Sequence, residues 1–364
     1  MEGVEVTCIA ECRKEFLDKA ASYFPNARTY EYGMDLIKNE ELDIVHICLP
    51  SYMHAEHAIA ALEKGMNVFV EKPVCLTEED CQALLDAEKR SGKKVMGGQV
   101  VRSFKEYKFL KEAYDSGRYG KLKSMVMQRI SGDVRWGFEN WFQDEKKSGS
   151  VVLDLHVHDL DFIRYMLGEP KSMDVKATEF PSGMVNQIVA SYEYDDTFVT
   201  AEGIWDISPS LKFHATYRAC FEKATLVFDS GATPSLEIYK PDGEVEIPEL
   251  PSEYEEESDV AGINISNLGP YFTEIKYFFE CVRDDKPVEL TFKEYELLRY
   301  LAINQGIVLS RDNLMEKVWS LDYEGESRTL DVHIKTLRQK LGVVGCYIKT
   351  VRNVGYYLDV DDRG

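Results

Sequence analysis

Residues 41–65, ELDIVHICLPSYMHAEHAIAALEKG, decide how the first part of this chain folds. A short apolar run is followed by a segment whose apolar residues recur at helical spacing, the pattern of a βα unit. Apolar runs and helical patterns alternate in the same way on both sides: VEVTCIA (4–10), FLDKAASYF (16–24), NVFVEKP (67–73), EEDCQALLDAEKRSG (78–92) and KKVMGGQ (93–99). This alternation predicts an α/β fold with a parallel, doubly wound sheet over residues 1–120.

A different pattern begins after residue 120. Long segments such as QIVASYEYDDTFVTAEGIW (187–205) and LKFHATYRACFEKATLVF (211–228) alternate apolar and polar residues with a period of two. Such segments are typical of strands with one buried face. We therefore predict a second domain over 121–290, an α+β domain built on a largely antiparallel sheet.

The composition is that of a globular protein, with 44% hydrophobic and 12% aromatic residues. No apolar run is long enough to span a membrane, and the acidic EGVEV after Met1 differs from a secretion signal. We expect a cytoplasmic protein that does not interact with membranes. The eight cysteines show no C-x-x-C spacing, so we expect reduced, buried thiols and no disulfide framework.

A third pattern covers residues 291–364. Three helical segments, TFKEYELLRYLAINQG (291–306), SRDNLMEKVW (310–319) and SRTLDVHIKTLRQKLG (327–342), precede YIKTVRNVGYYL (347–358), which has the pattern of a hairpin. Thr291 and Glu294 form a capping box, Gly306 can end the first helix and Ser310 can cap the second. Three helices and a hairpin predict a winged helix-turn-helix.

The third helical segment carries the evidence for DNA binding. Leu330, Ile334, Leu337 and Leu341 recur on one face and should pack inward, while the opposite face has Val332, Lys335, Thr336 and Gln339. That face suits thymine methyls and base edges in a major groove. An ordinary amphipathic surface helix is the alternative, and the adjoining helices and basic hairpin argue against it.

The distribution of charge agrees with this interpretation. The chain has 43 basic and 64 acidic residues, a formal net charge of −21, which opposes DNA binding by the chain as a whole. Residues 291–364 contain 11 of each kind, so the acidic excess lies in the first 290 residues. Residues 327–352 contain six basic residues and one acidic residue, and we expect double-stranded DNA as their partner.

Residues 1–290 resemble the Gfo/Idh/MocA oxidoreductases through ELDIVHICLPSYMHAEHAIAALEKG, VFVEKP (68–73) and SGSVVLDLHVHDLDFIRYMLGEP (148–170), in family order. The resemblance implies a truncated Rossmann-like domain, a C-terminal substrate and oligomerisation domain, and a catalytic set of Lys72, Asp154 and His158. It also implies NAD or NADP as cofactor, a sugar or polyol as ligand, and a homo-oligomer. An imidazole such as that of His158 can accept a hydroxyl proton as hydride leaves, and Lys72 can stabilise the developing alkoxide.

Other interpretations of the same residues remain open. Asp154 and His158 could simply cap and pack a helix, with Lys72 on a solvated loop. His156 and His158 form an H-x-H that could bind a metal, but no third ligand is evident, and we expect no metal site.

For the cofactor, the resemblance implies contacts from Glu11, Pro50, His54, Glu71 and Lys72. An acid at the end of the first visible strand, Glu11, favours NAD over NADP, although Arg13 is close by. The expected opening strand and G-x-G-x-x-G loop do not occur before Val4, and such a strand would lie centrally in the sheet. We therefore expect two unpaired strand edges, severely weakened NAD(P) binding and little or no turnover.

Residues 291–359 resemble the OmpR/PhoB-type effector domain of response regulators, a phosphorelay class, through DNLMEKVW, RTLDVHIKTLRQKL and IKTVRNVGYYL. The resemblance implies that the residues facing the major groove or its phosphates are Val332, His333, Thr336 and Arg338. It implies further that Trp319 and Arg328 contact the DNA backbone and that Arg352 enters the minor groove. Lys335-Thr336 replaces a pair that is often Arg-Arg, and neither the preceding small sheet nor a receiver domain is found.

Three interpretations of the whole chain follow. It is a fusion in which a dehydrogenase-like body, with impaired catalysis, accompanies a DNA-binding regulator domain. Alternatively, it is an active NAD-dependent sugar or cyclitol dehydrogenase with an incidental tail, or a mis-joined reading frame in which neither activity is complete.

Overall fold

The structure, a computed structural model, describes residues 1, 3–250, 269–286, 292–319, 330, 334, 337, 338, 341–351 and 354–359. The chain divides into two compact units, Met1–Phe279 and Glu280–Gly364. No helix within these described ranges is both long enough and apolar enough to cross a bilayer.

The first unit opens with alternating strands and helices, which confirms the predicted Rossmann-like architecture. These elements are β1 (Cys8–Ala10), α1 (Lys14–Tyr23), β2 (Arg28–Tyr30), α2 (Gly33–Asn39), β3 (Ile44–Ile47), α3 (His54–Glu63), β4 (Asn67–Glu71), α4 (Glu78–Ser91) and β5 (Val95–Gly98). Val68, Phe69 and Val70 are at most 1% exposed because β4 is covered on both faces. The Thr77 side chain caps α4 by accepting from the Asp80 amide, and Gly92, with φ of 65°, ends the helix.

The parallel strands form two separate sheets. β1 pairs with β2, while β4 lies between β3 and β5. In the part of the chain that the structure describes, no backbone pairing joins β1 to β3. The division lies where the resemblance places the strand that precedes the glycine loop.

The second part of this unit contains a large mixed sheet. Its elements are α5 (Lys105–Asp115), β6 (Leu122–Gly132), α6 (Glu145–Ser148), α7 (Val157–Leu167), β7 (Ser172–Glu179), β8 (Val185–Glu193), β9 (Phe198–Asp206), β10 (His214–Phe221), β11 (Thr225–Asp229), β12 (Leu236–Tyr239), β13 (Val245–Glu246) and α8 (Gly269–Arg283). The strand order is β13-β12-β11-β10-β6-β9-β8-β7. Only the β6–β9 pair is parallel, so the predicted antiparallel character is confirmed.

A buried ion pair joins α7 to this sheet. Arg129 of β6 donates to Asp159 of α7 with an Nη2–Oδ1 distance of 2.8 Å, and their side chains are 7% and 1% exposed. Arg129 also donates to the Tyr107 hydroxyl of α5 at 3.1 Å. Charges with so little access to water require such close partners, and the pair therefore fixes where α7 lies on β6.

The second unit has the architecture of a winged helix. Its described elements are α9 (Phe292–Ile303), β14 (Leu309–Ser310), α10 (Arg311–Trp319), β15 (Ile348–Val351) and β16 (Gly355–Leu358), with sheet order β14-β16-β15. Gly306 has φ of 76°, and Ser310 Oγ accepts from the Asn313 amide at 3.1 Å, as the sequence predicts. The predicted capping box at Thr291 lies outside the described residues.

The inward stripe of the third helical segment is confirmed. Leu330, Ile334 and Leu337 are helical, at most 1% exposed, and pack with residues of α9, α10 and the hairpin, while Leu341 packs against the same core. This apolar contact, and not helix propensity alone, fixes which face of the segment points inward.

The expectation that all cysteines are buried is wrong. Cys75 and Cys281 are buried, whereas Cys12, Cys48, Cys81 and Cys346 are exposed. Cys48 follows β3, which pairs with β4 on one side and with no described strand on the other.

Asp159→Asn leaves the Arg129 guanidinium buried beside a neutral partner. We expect the free energy of unfolding of the first unit to fall by about 3–5 kcal/mol. Urea unfolding followed by tryptophan fluorescence measures this change. The control, Asp195→Asn, removes the exposed pair with Lys171 and should cost less than about 1 kcal/mol. Equal, small losses in both variants would show that the buried pair does not hold α7.

Candidate functional site

Lys72 and Asp154 meet although they lie 82 residues apart in the sequence. Lys72 follows β4, and its Nζ donates to Asp154 Oδ1 at 2.8 Å and to the Asp154 carbonyl oxygen at 2.6 Å. Asp154 belongs to a π-helical segment, Val152–His156, that leads directly into α7. The two side chains are 19% and 15% exposed, so water screens this ion pair only weakly.

His158 lies one helical turn after Asp154 and therefore on the same side of the helix. Its Nδ1 is buried and has no hydrogen-bond partner among the described residues. Burial, followed by the positive charges of Lys72 and Arg129, holds the pKa of His158 well below its usual range. The ring is therefore neutral near pH 7 and can accept a proton from a hydroxyl group.

The neighbours of His156 differ from those of His158. Its Nε2 lies 3.1 Å from the Tyr192 hydroxyl, and burial lowers its pKa. Residues two positions apart on a helix do not face each other, so His156 and His158 are poorly placed to share one metal ion.

The residues predicted to contact a dinucleotide do not all have free polar groups. The Glu11 carboxylate accepts from the Arg13 amide at 2.8 Å and from its guanidinium at 2.9 and 3.0 Å. His54 Nδ1 and Nε2 lie 2.7 and 2.6 Å from the carbonyl oxygens of Pro73 and Leu49. Because burial lowers the pKa of His54, the neutral ring donates to only one of them. His54 thus holds the ends of β3 and β4 together.

Pro50 and Glu71 also lie at the carboxyl ends of these strands. Pro50 precedes the short helix Ser51–Met53, and Glu71 is the last residue of β4. In this fold class, the edge formed by the carboxyl ends is where dinucleotides bind. The position suits the predicted contacts, and their role in cofactor binding stays a prediction.

Most predicted DNA contacts lie outside the described residues. These are Arg328, Val332, His333, Lys335, Thr336 and Arg352. Trp319 is the last residue of α10. The Arg338 guanidinium is half-buried and donates to the Ile348 carbonyl oxygen at 2.5 Å and to Thr350 Oγ1 at 2.7 Å. Arg338 therefore links the third helical segment to β15, and its predicted contact with DNA remains a prediction.

Family comparisons agree with this division of the chain. Residues 1–99 match "Oxidoreductase family, NAD-binding Rossmann fold", residues 107–235 match "GFO/IDH/MocA C-terminal domain", and residues 285–358 match "Transcriptional regulatory protein, C terminal". The chain therefore carries the two domains of the Gfo/Idh/MocA oxidoreductases followed by a transcriptional-regulator domain of the OmpR/PhoB type.

Individual relatives match separate parts of the chain. Inositol 2-dehydrogenase of Salmonella typhimurium is 28% identical over 174 residues, 46% of this chain and 48% of the relative. The heme response regulator HssR of Staphylococcus epidermidis is 44% identical over 84 residues, 22% of this chain and 38% of the relative. The chain spans about a third to half of the length of the curated relatives it matches.

A solved structure matches the oxidoreductase fold over a longer stretch. Levoglucosan dehydrogenase in complex with NADH and levoglucosan superposes with a TM-score of 0.65 at 19% identity, over 79% of this chain and 83% of that chain. At this identity the likeness shows the fold.

Sequence reasoning missed the residues that support the site. Asp159 directly follows His158, yet its partner Arg129 lies 30 residues away on a strand. Nothing in the local pattern around Arg129 indicates this pairing. His46 in β3 and Cys48 just after it form an H-x-C signal that could have been recognised.

His158→Gln should flatten the pH dependence of stability. The unfolded chain protonates His158 near pH 6.5, whereas the folded chain keeps the ring neutral, so the stability contributed by the neutral ring is lost as pH falls below 6.5. Between pH 7 and 5 we expect the wild type to lose more stability than the variant, by at most about 1.4 kcal/mol per pH unit. Urea unfolding at both pH values measures this, and identical slopes would contradict a buried neutral imidazole.

Proposed function

We propose that this chain is a transcription regulator that binds double-stranded DNA sequence-specifically through its second unit, while its oxidoreductase-like body binds a sugar or polyol and has impaired NAD(P) binding. The observation that carries the proposal is the buried stripe of Leu330, Ile334 and Leu337 beside the hairpin. On a helix with these inward positions, 332, 335 and 336 lie on the opposite face, where a major groove can be contacted.

Charge and similarity support the same conclusion. Residues 327–352 have five more basic than acidic residues, and the 44% identity with HssR covers this unit. Arg328, Trp319 and Arg352 would contact phosphates and the minor groove, with His333 and Arg338 near the major groove. The regulator acts in the cytoplasm, as a homo-oligomer, and its class is one that phosphorelays control, while the input proposed here is ligand binding by the first unit.

The polar centre of the first unit suits a hydroxyl-bearing ligand. Lys72 can donate to a ligand oxygen, Asp154 holds the ammonium group in place, and neutral His158 can take a hydroxyl proton. Bound NAD or NADP would supply the hydride acceptor, held by Glu11, Pro50, His54, Glu71 and Lys72. The separation of β1 from β3 interrupts the sheet at the place where a dinucleotide pyrophosphate binds in this fold class, and it supports weakened binding.

An active NAD-dependent sugar or cyclitol dehydrogenase is the second candidate. The Lys72–Asp154 pair beside His158 favours it, and matched relatives are named as dehydrogenases. The two candidates differ in cofactor affinity, which can be measured directly.

Arg328→Ala and Arg352→Ala should each weaken DNA binding and lower the slope of log affinity against log salt by about one. Duplexes selected from a random pool by the full chain serve as probes, with affinity measured by fluorescence anisotropy. Lys176→Ala removes one exposed charge from β7 and should leave both quantities unchanged. Val332→Ala or Thr336→Ala should alter the selected sequence, and unchanged binding in all four variants would refute the assignment of this helix.

NADH and NADPH should stabilise the full chain only slightly. A dissociation constant weaker than about 1 mM gives less than about 0.4 kcal/mol of stabilisation at 1 mM cofactor. Differential scanning fluorimetry with each cofactor, in the wild type and in Lys72→Met, measures this. A Lys72-dependent shift at micromolar NADH would overturn the impaired-binding proposal and establish the dehydrogenase candidate's cofactor site.

A further inference from the structure

Three side chains converge at the carboxyl ends of β3 and β4. The proposed function does not explain why they lie together. His46 lies in β3, Cys48 is the first residue after that strand, and Glu71 is the last residue of the neighbouring strand β4. Their imidazole nitrogen, thiol sulfur and carboxylate oxygen all lie within 4.8 Å of one another. Within the described residues, no other group of three His, Cys, Asp or Glu side chains converges in this way.

Helix α8 covers the same face of the sheet. The ring centroids of His46 and Phe69 are 4.5 Å apart, and those of Phe69 and Phe278 of α8 are 5.8 Å apart. Glu274 lies one turn before Phe278 and so on the side of α8 that faces the sheet. This position brings Glu274 to the face of the sheet that carries the three side chains.

Glu274 is 3% exposed, and neither of its carboxylate oxygens has a hydrogen-bond partner among the described residues. A buried carboxylate without a donor or a cation is unfavourable. Lys72, the cation nearest in sequence to Glu71, donates its hydrogen bonds to Asp154. Burial raises the pKa of Glu274 to about 9, so near pH 7 this side chain is an uncharged acid without a hydrogen-bond partner among the described residues.

We propose that His46, Cys48 and Glu71 bind one divalent transition-metal ion of the zinc class, and that Glu274, on the helix that covers them, moves in as a fourth ligand. An imidazole, a thiolate and carboxylates suit Zn²⁺ or Co²⁺, whereas Mg²⁺ and Ca²⁺ prefer all-oxygen sites. In a tetrahedral zinc site, ligand atoms lie about 3.3–3.8 Å apart, so the ligand atoms of His46, Cys48 and Glu71 need to approach one another by no more than about 1.5 Å. Binding releases the thiol proton of Cys48 and the carboxyl proton of Glu274 to water.

Gly98 leaves room for this arrangement. It pairs with Glu71 across β4 and β5, and a Cβ at Gly98 would lie 3.2 Å from Glu71 Oε2. The site would link α8 to the β3–β4–β5 sheet. It does not depend on the proposed DNA binding or on the Lys72, Asp154 and His158 centre.

The test uses the full chain, freed of metal by a chelator and titrated with Co²⁺. Cobalt bound to a thiolate in tetrahedral geometry gives a charge-transfer band and intense visible absorption, and neither is expected of surface carboxylates. We expect one Co²⁺ per chain, displaced by one equivalent of Zn²⁺ and unaffected by excess Mg²⁺. Cys48→Ala should abolish the charge-transfer band, and Cys220→Ser, a half-buried thiol on β10, should keep it.

Glu274→Gln separates ligation from folding, because it keeps the side-chain volume, replaces an acid that is uncharged near pH 7 without metal, and lacks the carboxylate that would bind the metal. In the metal-free state we expect this variant to melt at a temperature no lower than the wild type, while its affinity for Co²⁺ falls at least about tenfold and Zn²⁺ no longer raises its melting temperature. The proposal is overturned if the wild type gives no thiolate band. It is equally overturned if Cys48→Ala keeps the band, or if Zn²⁺ stabilises Glu274→Gln as much as the wild type.

Discussion

The buried pair between Arg129 and Asp159 is the constraint on which the polar centre of the first unit depends. It joins β6 to α7 at side chains that are 7% and 1% exposed. Asp154 and His158 lie in and just after the π-helical segment that leads into α7, so their positions follow that helix. Lys72 and Asp154 are far apart in sequence. The distance between their side chains is therefore set by the way α7 packs on the sheet.

Burial then determines the chemistry of the centre. The Lys72–Asp154 pair and the charge of Arg129 surround an imidazole that has lost most of its water, and so the neutral form of His158 is favoured. A neutral imidazole beside a fixed ammonium group can accept a proton while the ammonium stabilises an oxyanion. The same low access to water raises the pKa of Glu274 to about 9, so this buried acid is uncharged near neutral pH.

The second unit is organised by apolar packing. Leu330, Ile334 and Leu337 fill a core with α9, α10 and the hairpin, and Arg338 adds hydrogen bonds from the third helical segment to β15. This packing fixes the helix relative to the hairpin, a geometry that any groove contact requires. Residues 291–364 contain 11 basic and 11 acidic residues, whereas the residues before them carry the acidic excess, and so the two parts suit different classes of partner.

The sequence by itself determined the α/β alternation of the first unit, the largely antiparallel sheet, the winged helix and the pairing of EKP with D-x-x-x-H as candidate chemistry. These features follow from periodicity, capping and motif order, which are properties of neighbouring residues. Only the tertiary structure decided that Arg129 meets Asp159, that Arg338 donates to the hairpin, and that α8, which carries Glu274, covers the face of the sheet with His46. These contacts join residues between 10 and more than 200 positions apart, and side-chain packing selects among such partners without leaving a local pattern.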